Sequence, residues 1–303
     1  MQSWQQYLNG DPLPWLLEPE NPSVRYWTLV DILDLPTGCS EVQETRAAIA
    51  HQPLVKELFT LQHRAGYWGD ETKPQTAQGT GAVLNLLHSL GVTPDERTAA
   101  GCDSFLRFCQ HESGGFSMRT TVRSGIFPCT TGPSLPFLVY FGFGDDARVR
   151  AAFAFLIEAM YADGALDCGR YQHQDCLWGA IAALQGLAVL PTDLRSTQSK
   201  RTVKRLADAL LNAGYDFKGE HKRWLTLGVP RTWDLLSALK ALAAHGYTQD
   251  ARFVPLLELM LSRQDGQGRW LCGSVSRTWP IERRNRPSKW VTLDAIRVLK
   301  QAG

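Results

Sequence analysis

The sequence lacks the features that direct a chain into or across a membrane. No apolar run approaches the roughly 18 residues that a spanning helix needs. The first residues, Met1 to Gln6, show neither a basic region nor an apolar core, so we expect no secretory signal. The seven cysteines are odd in number and unevenly spaced, which is untypical of a disulfide framework. We therefore expect a cytoplasmic protein whose cysteines are free thiols or metal ligands.

The sequence also has little excess charge, few strand patterns and no common catalytic motif. Its net charge of +2 is too small to indicate nucleic acid as a partner. It contains no Walker-type glycine loop, dinucleotide-binding fingerprint, Gly-x-Ser-x-Gly elbow or His-Glu-x-x-His motif. Alternation of apolar and polar residues with a period of two is almost absent, which indicates an all-α chain.

What the sequence does contain is a repeated turn signature, Gln-x-x-x-Gly-x-aromatic. It occurs at Gln62 to Trp68, at Gln110 to Phe116 and at Gln264 to Trp270, with a worn copy at Met160 to Leu166. The copies that begin at 62, 110 and 160 start 48 and 50 residues apart. A repeat of this length indicates one supersecondary unit used several times.

Helical patterns flank each signature, amphipathic before it and more apolar after it. Leu54 to Gln62 leads into the first turn, and Gly81 to Leu90 follows it and stops at a glycine and a proline. The patterns after the turns are rich in small and apolar residues, as in Gly179 to Ala183, which is typical of buried helices. We predict about six helical hairpins in one domain over residues 1–303, forming an all-α toroid with inner and outer helices.

These turns resemble the QW-type repeats of squalene and oxidosqualene cyclases. The hairpin ring resembles those cyclases and the β subunits of protein prenyltransferases, over about Asn21 to Lys300. The resemblance implies a central cavity that holds an isoprenoid or another hydrophobic small molecule, with prenyl transfer or terpene cyclisation as the chemistry. A protein prenyltransferase also needs a second subunit, so a partner protein is implied on that interpretation.

The acid motif of the cyclases is missing. The chain has no Asp-x-Asp-Asp, and its nearest match, Asp145-Asp146, is interpreted as an N-cap for the helix that begins at Ala147. The aspartate cluster that binds Mg²⁺ in ionisation-type terpene synthases is also missing, and the chain holds half the repeats of a two-ring triterpene cyclase. Neither known route of cyclisation is indicated by a motif.

A group of cysteines and a histidine in the middle repeats could hold zinc. Thiolate and imidazole ligands suit tetrahedral Zn²⁺, and a catalytic site needs three such ligands and an open position. The alternative is that the cysteines are small residues in tight helix packing. The zinc hypothesis assigns as ligands Cys129, Cys168, His173 and Cys176.

The same segment resembles the part of prenyltransferase β subunits that carries the zinc cysteine. Cys176 matches that cysteine, whereas Gln174 stands where the family has an aspartate, and Asp234 lies about where the family has its histidine. The candidate acids and bases are Asp167, Asp175 and Asp234.

Aromatic and basic residues suggest two further parts of a site. Rings on inner helices line isoprenoid pockets in the family and attract carbocations, although ordinary core packing explains them as well. The pocket candidates are Trp27, Trp178, Trp233 and Trp290. Basic side chains in the loops after the turns would form a cationic rim for a diphosphate or another anion, the alternative being a solvated surface. The rim candidates are Arg119, Arg123, Arg231, Arg283 and Arg284.

Two other classes of function remain open. One is a non-catalytic toroid that binds a peptide or a lipid, with structural zinc or none. The other is a toroid enzyme of a different class, such as a glycoside-active or lanthionine-forming one, which would need two facing carboxylates or an open Cys-Cys-His zinc site. We predict first an enzyme that acts on a hydrophobic small molecule.

Overall fold

The computed structural model describes residues 3–118, 126–158, 176–213, 226–229 and 234–303. The described part is mainly helical and contains almost no strand, which confirms the predicted all-α class. Two short strands, β1 (Gly228–Val229) and β2 (Ser274–Val275), pair in parallel. The α-helices are α1 Leu13–Leu16, α2 Pro22–Trp27, α3 Ser40–Ile49, α4 Pro53–Thr60, α5 Thr80–Leu90, α6 Glu96–Cys109, α7 Pro128–Thr131, α8 Leu135–Tyr140, α9 Ala147–Glu158, α10 Leu177–Leu187, α11 Thr197–Ala213, α12 Leu235–Ala244, α13 Phe253–Leu261 and α14 Lys289–Ala302.

The chain divides into two compact units. Unit one combines the two ends of the chain, Met1–Gln52 and Leu211–Gly303, and unit two is Pro53–Leu210. No described helix has both the length and the apolar character of a membrane-spanning segment. The single domain over residues 1–303 and the closed toroid stay predictions.

Helices that follow a turn are more deeply buried than helices that lead into one. The following helix α10 buries 9 of its 11 residues, whereas the leading helix α6 buries 7 of its 14. Small residues allow this close packing. A Cβ on Gly132, just after α7, would lie 2.0 Å from the carbonyl oxygen of Ala182 in α10. The alternation of amphipathic and apolar helices predicted from the sequence is present.

The first turn ties its own hairpin to the next leading helix. Gln62 Nε2 donates to the carbonyl of Gly66 at 2.9 Å and to that of Arg97, in α6, at 2.8 Å. Gly66 has a φ of +90°, and a Cβ there would lie 2.6 Å from the carbonyl oxygen of Ala100. Both the backbone conformation and the close approach therefore require glycine.

The second turn repeats these contacts. Gln110 Nε2 donates to Gly114 O at 3.2 Å and to Arg148 O, in α9, at 2.5 Å. Gly114 has a φ of +87°, and its Cβ position lies 2.4 Å from the carbonyl oxygen of Ala151. The glutamine and the glycine of the signature thus have the same task in both copies.

The aromatic residue that closes each signature joins the leading helix to the following helix. Trp68 Nε1 donates to Leu58 O in α4 at 2.6 Å, and the Trp68 backbone N–H donates to Thr80 Oγ1 in α5 at 3.0 Å. Trp270 makes the corresponding bonds, to Met260 O at 2.8 Å and to Thr292 Oγ1 at 3.1 Å. The signature therefore has a structural role, since it holds its two helices together. We call each of the three complete signatures a clasp: Gln62 to Trp68, Gln110 to Phe116 and Gln264 to Trp270.

The last clasp engages the beginning of the chain. Gln264 Nε2 donates to Tyr7 O at 3.5 Å, and Gln264 Oε1 accepts from the backbone N–H of Asn9. A Cβ on Gly268 would lie 2.5 Å from the carbonyl oxygen of Gly10. In the first two turns the glutamine and the glycine contact the next leading helix. In the last turn they contact the N-terminal segment instead. Helix α14 also packs on α1 and α2, so the last repeat joins the first within unit one.

Candidate functional site

The following helices of unit one carry a network of charged side chains. Arg297 of α14 donates to Asp294 Oδ1 at 2.7 Å and to Asp31 Oδ2 at 2.8 Å. Lys240 of α12 donates to Asp294 Oδ2 at 2.5 Å. The four side chains remain 17–38% exposed, so the network faces accessible space rather than the sealed core.

Mutual attraction keeps this network ionised. Burial raises the pKa of Asp294, but Lys240 and Arg297 outweigh that effect, and the pKa lies below its ordinary value. Burial lowers the pKa of Arg297, but Asp294 and Asp31 outweigh it, and the pKa is raised. Asp294 is therefore a carboxylate at neutral pH and holds no proton to donate.

Trp27 lies beside the network and is half-buried. The Arg297 guanidinium carbon is 5.4 Å from the centroid of its ring, and Tyr26 packs edge-on at 4.8 Å. Helix α2 continues beyond Trp27 as a π-helical segment, Thr28–Ile32, which carries Asp31. Insertions of π-helix are frequent at functional sites. Here the segment joins an accessible aromatic ring to an accessible ion pair.

Only weak local patterns indicate this network in the sequence. Asp294 and Arg297 stand three residues apart on a helix whose other face is apolar, and Lys240 is the one charge in α12. Such residues are ordinarily interpreted as solvated. Asp31 and Arg297 are 266 positions apart in the chain. No local sequence pattern could therefore predict that they form a pair.

Helices α5, α8 and α10 of unit two contain no Asp, Glu, Lys or Arg and carry aromatic and polar side chains instead. Trp178 on α10 is half-buried. The rings of His88 and Tyr140 lie 4.8 Å apart, and Tyr140 Oη donates to Val92 O at 3.0 Å. Helix α8 packs on both α5 and α10, which brings these elements together within unit two.

The predicted pocket tryptophans differ in burial. Trp27 and Trp178 are half-buried, whereas Trp290 is 6% exposed and belongs to the core. The tryptophans of the clasps, Trp68 and Trp270, are 1% and 0% exposed. Two of the predicted pocket residues are thus accessible, and a third, Trp233, lies outside the described residues.

Asp234 acts as the cap of α12. Its side chain is almost fully buried, its Oδ1 accepts from Ser237 N at 2.8 Å and its Oδ2 accepts from Gly228 N at 2.9 Å. Both oxygens therefore accept hydrogen bonds from backbone N–H groups, and the carboxylate joins β1 to the start of the helix. The other candidate acids, Asp167 and Asp175, lie outside the described residues.

Two of the four predicted zinc ligands are described. Cys176 is buried and caps α10, and its Sγ accepts from Gly179 N at 3.4 Å. Cys129 is half-buried on α7, which packs against α10. Cys168 and His173 lie outside the described residues. Among the described residues no three His, Cys, Asp or Glu side chains form a metal-binding group, so zinc stays a prediction.

The predicted cationic rim is described only in part. Arg283 and Arg284 are exposed on the loop that precedes α14. The remaining rim candidates, Arg119, Arg123 and Arg231, lie outside the described residues, so the rim too stays a prediction.

The chain matches no protein-family model and no curated protein. Similar solved structures include a protein from Actinoplanes, at 17% identity and a TM-score of 0.49, with 93% of this chain and 90% of that one covered. They also include the type II terpene cyclase MstE from Scytonema. A variant of it with the product merosterolic acid A has 16% identity and a TM-score of 0.34, with 84% and 96% covered. A variant with the substrate geranylgeranyl dihydroxybenzoate has 15% identity and a TM-score of 0.33, with the same coverage. At these values the likenesses carry no argument about function.

Proposed function

We propose that this chain binds an isoprenoid or another hydrophobic small molecule at an accessible tryptophan, Trp27 of α2 or Trp178 of α10, and acts on it by prenyl transfer or terpene cyclase-like chemistry. The observation that carries the proposal is the unequal burial of its tryptophans. Clasp tryptophans are fully enclosed, whereas Trp27 and Trp178 keep part of their ring surface accessible. Each Å² of apolar surface left exposed gives up about 25 cal/mol of hydrophobic stabilisation. A ligand that covered an accessible ring would recover this stabilisation.

Aromatic faces suit an isoprenoid in two ways. They offer a broad apolar surface to the hydrocarbon chain, and their negative faces attract positive charge that develops during ionisation. Among the described carboxylates of the charged network, Asp294 is held ionised by Lys240 and Arg297. It is therefore unsuited to protonating an alkene, which favours prenyl transfer over protonation-initiated cyclisation in this part of the chain.

Zinc fits the donor chemistry of unit two as part of the same proposal. Cys129 and Cys176 lie on segments that pack together, and Cys168 and His173 would complete the set. Bound zinc would activate a thiol or polarise an oxygen. Within the chain itself, the N–H of Gly179 would stabilise the Cys176 thiolate.

The experiment that tests the proposal is a titration of the purified protein with geranylgeranyl and farnesyl compounds, followed by mass spectrometry of the mixture. We expect saturable binding and a product formed from the bound isoprenoid. Absence of binding to every isoprenoid offered would contradict the proposal.

Non-catalytic binding of a lipid or peptide is the second candidate, and one observation favours it. Asp234, a predicted acid or base, uses both carboxylate oxygens to hold backbone. Saturable binding that leaves the isoprenoid chemically unchanged, with and without added zinc and thiol acceptor, would decide for this candidate.

A further inference from the structure

The last hairpin of the chain carries extra residues that its clasp does not need. In each described clasp the N–H of the turn aromatic donates to a threonine hydroxyl of the following helix, and this bond spans 12, 15 and 22 residues in the three copies. Because the shorter loops close the same bond, the added length has another use. The pairs are Trp68–Thr80, Phe116–Thr131 and Trp270–Thr292. We call residues 271–288 the insertion loop.

The insertion loop is held by specific bonds. Its two arms pair where Cys272 N donates to Arg286 O at 2.9 Å and Asn285 N donates to Cys272 O at 2.6 Å. At its base, Glu282 Oε1 accepts from Ser288 Oγ at 3.0 Å and from Trp290 N at 3.3 Å. The loop is therefore an ordered segment, anchored to the start of α14 and, through β2, to β1.

The exposed charged side chains of the insertion loop are all basic. Four arginines are exposed, and within the described part of the chain none of them forms an ion pair; Arg284 Nε donates to Gly273 O at 3.0 Å. The one acid of the loop, Glu282, is turned inward. Four uncompensated charges on one loop are costly to keep together unless an anion balances them. They are Arg277, Arg283, Arg284 and Arg286.

Apolar side chains are interleaved with these charges. Leu271 is 48% exposed, Pro280 is exposed, and Trp279 and Ile281 are half-buried. Tryptophan and aliphatic side chains beside arginines are the combination found where proteins meet the headgroup region of a bilayer. A small anion would need donors that converge in a recess, whereas all four arginines are exposed.

We propose that the insertion loop docks the protein on an anionic membrane surface. The arginines would pair with lipid phosphates, and Trp279, Pro280 and Leu271 would enter the headgroup region. Juxtamembrane basic residues each contribute about 1 kcal/mol of attraction to an anionic leaflet, so three of them amount to about a hundredfold in affinity. The inference does not depend on the proposed function, although hydrophobic substrates do partition into membranes.

Vesicle sedimentation tests the inference. We expect the full chain to bind phosphatidylcholine vesicles that contain phosphatidylglycerol, to ignore pure phosphatidylcholine, and to lose binding at high salt. The triple variant Arg277→Gln, Arg283→Gln, Arg286→Gln removes only arginines whose side chains make no bond in the described structure. It should bind about a hundredfold more weakly.

A matched control removes three exposed arginines from elsewhere, Arg64→Gln, Arg195→Gln and Arg263→Gln. The net charge falls by the same amount, so equal loss in both triple variants would overturn the inference. The single variant Arg283→Gln keeps the test decisive if the loop triple variant does not fold, and it should weaken binding several-fold. Binding to heparin without binding to anionic vesicles would also overturn it, in favour of a soluble polyanion.

Discussion

At the scale of single residues, the most informative side chain outside the clasps is Glu282. It is a half-buried carboxylate that accepts from a hydroxyl and a backbone N–H at the start of α14. Burial raises its pKa above the ordinary 4.5, because its hydrogen bonds and Lys289 only partly replace lost hydration. The loop is thus anchored by an acid that is costly to ionise.

This cost predicts a pH-dependent effect of Glu282→Gln. The folded state binds the Glu282 proton more tightly than the unfolded state does, so the wild type loses stability as pH rises from 4.5 through the folded-state pKa. Glutamine keeps the acceptor oxygen and carries no charge. We expect the variant to unfold at a higher temperature at neutral pH, and the difference to vanish below pH 4.5.

Thermal unfolding followed by circular dichroism across this pH range checks the prediction. The control is Glu258→Gln, at an exposed position of α13. A stability difference for Glu282→Gln that stays constant with pH would contradict the account of this carboxylate.

At the scale of elements, the clasp explains why the repeat is visible in the sequence. Its glutamine, glycine and aromatic residue each make a contact that few other side chains could make, so their spacing was recognisable. The alternation of helices was predicted for a similar reason, because deep burial demands small and apolar residues along a whole helix.

The clasp glycine offers a test with an internal control. Gly66 and Gly142 have nearly the same φ, +90° and +91°, but a Cβ would lie 2.6 Å from a backbone oxygen at Gly66 and would meet nothing within 4 Å at Gly142. Gly142→Ala should cost about 1–2 kcal/mol for the left-handed conformation alone. Gly66→Ala should cost about 1–3 kcal/mol more, because the next helix must move.

Chemical denaturation of the two alanine variants measures the difference directly. Equal losses would show that the turn's contact with α6 adds nothing to the cost of the backbone conformation. A loss confined to Gly66→Ala would show that the left-handed conformation is not the limiting feature.

At the scale of the whole molecule, the chain is an all-α protein whose two ends belong to one unit. The clasp of Gln264 on the N-terminal segment and the ion pair of Arg297 with Asp31 both join residues more than 250 positions apart. Neither could be predicted from the sequence, because the partners are fixed only by the packing of α14 on α2. Asp234 is different, because the residues it caps, Gly228 and Ser237, lie only six and three positions away, so a local N-cap pattern could have indicated its role.

The central claim is that an accessible tryptophan, Trp27 of α2 or Trp178 of α10, binds an isoprenoid. Isothermal titration calorimetry with a geranylgeranyl compound tests it most directly, on Trp27→Phe, Trp178→Phe and Trp15→Phe. Trp15 is the matched control, since it is also half-buried and has an arginine, Arg269, 4.3 Å from its ring, but lies on α1 rather than on α2 or α10. We predict an affinity about tenfold weaker for at least one of the first two variants and unchanged for the third, a difference of about 1.4 kcal/mol. Equal affinity in all three variants, or no binding by the wild type, would contradict the claim.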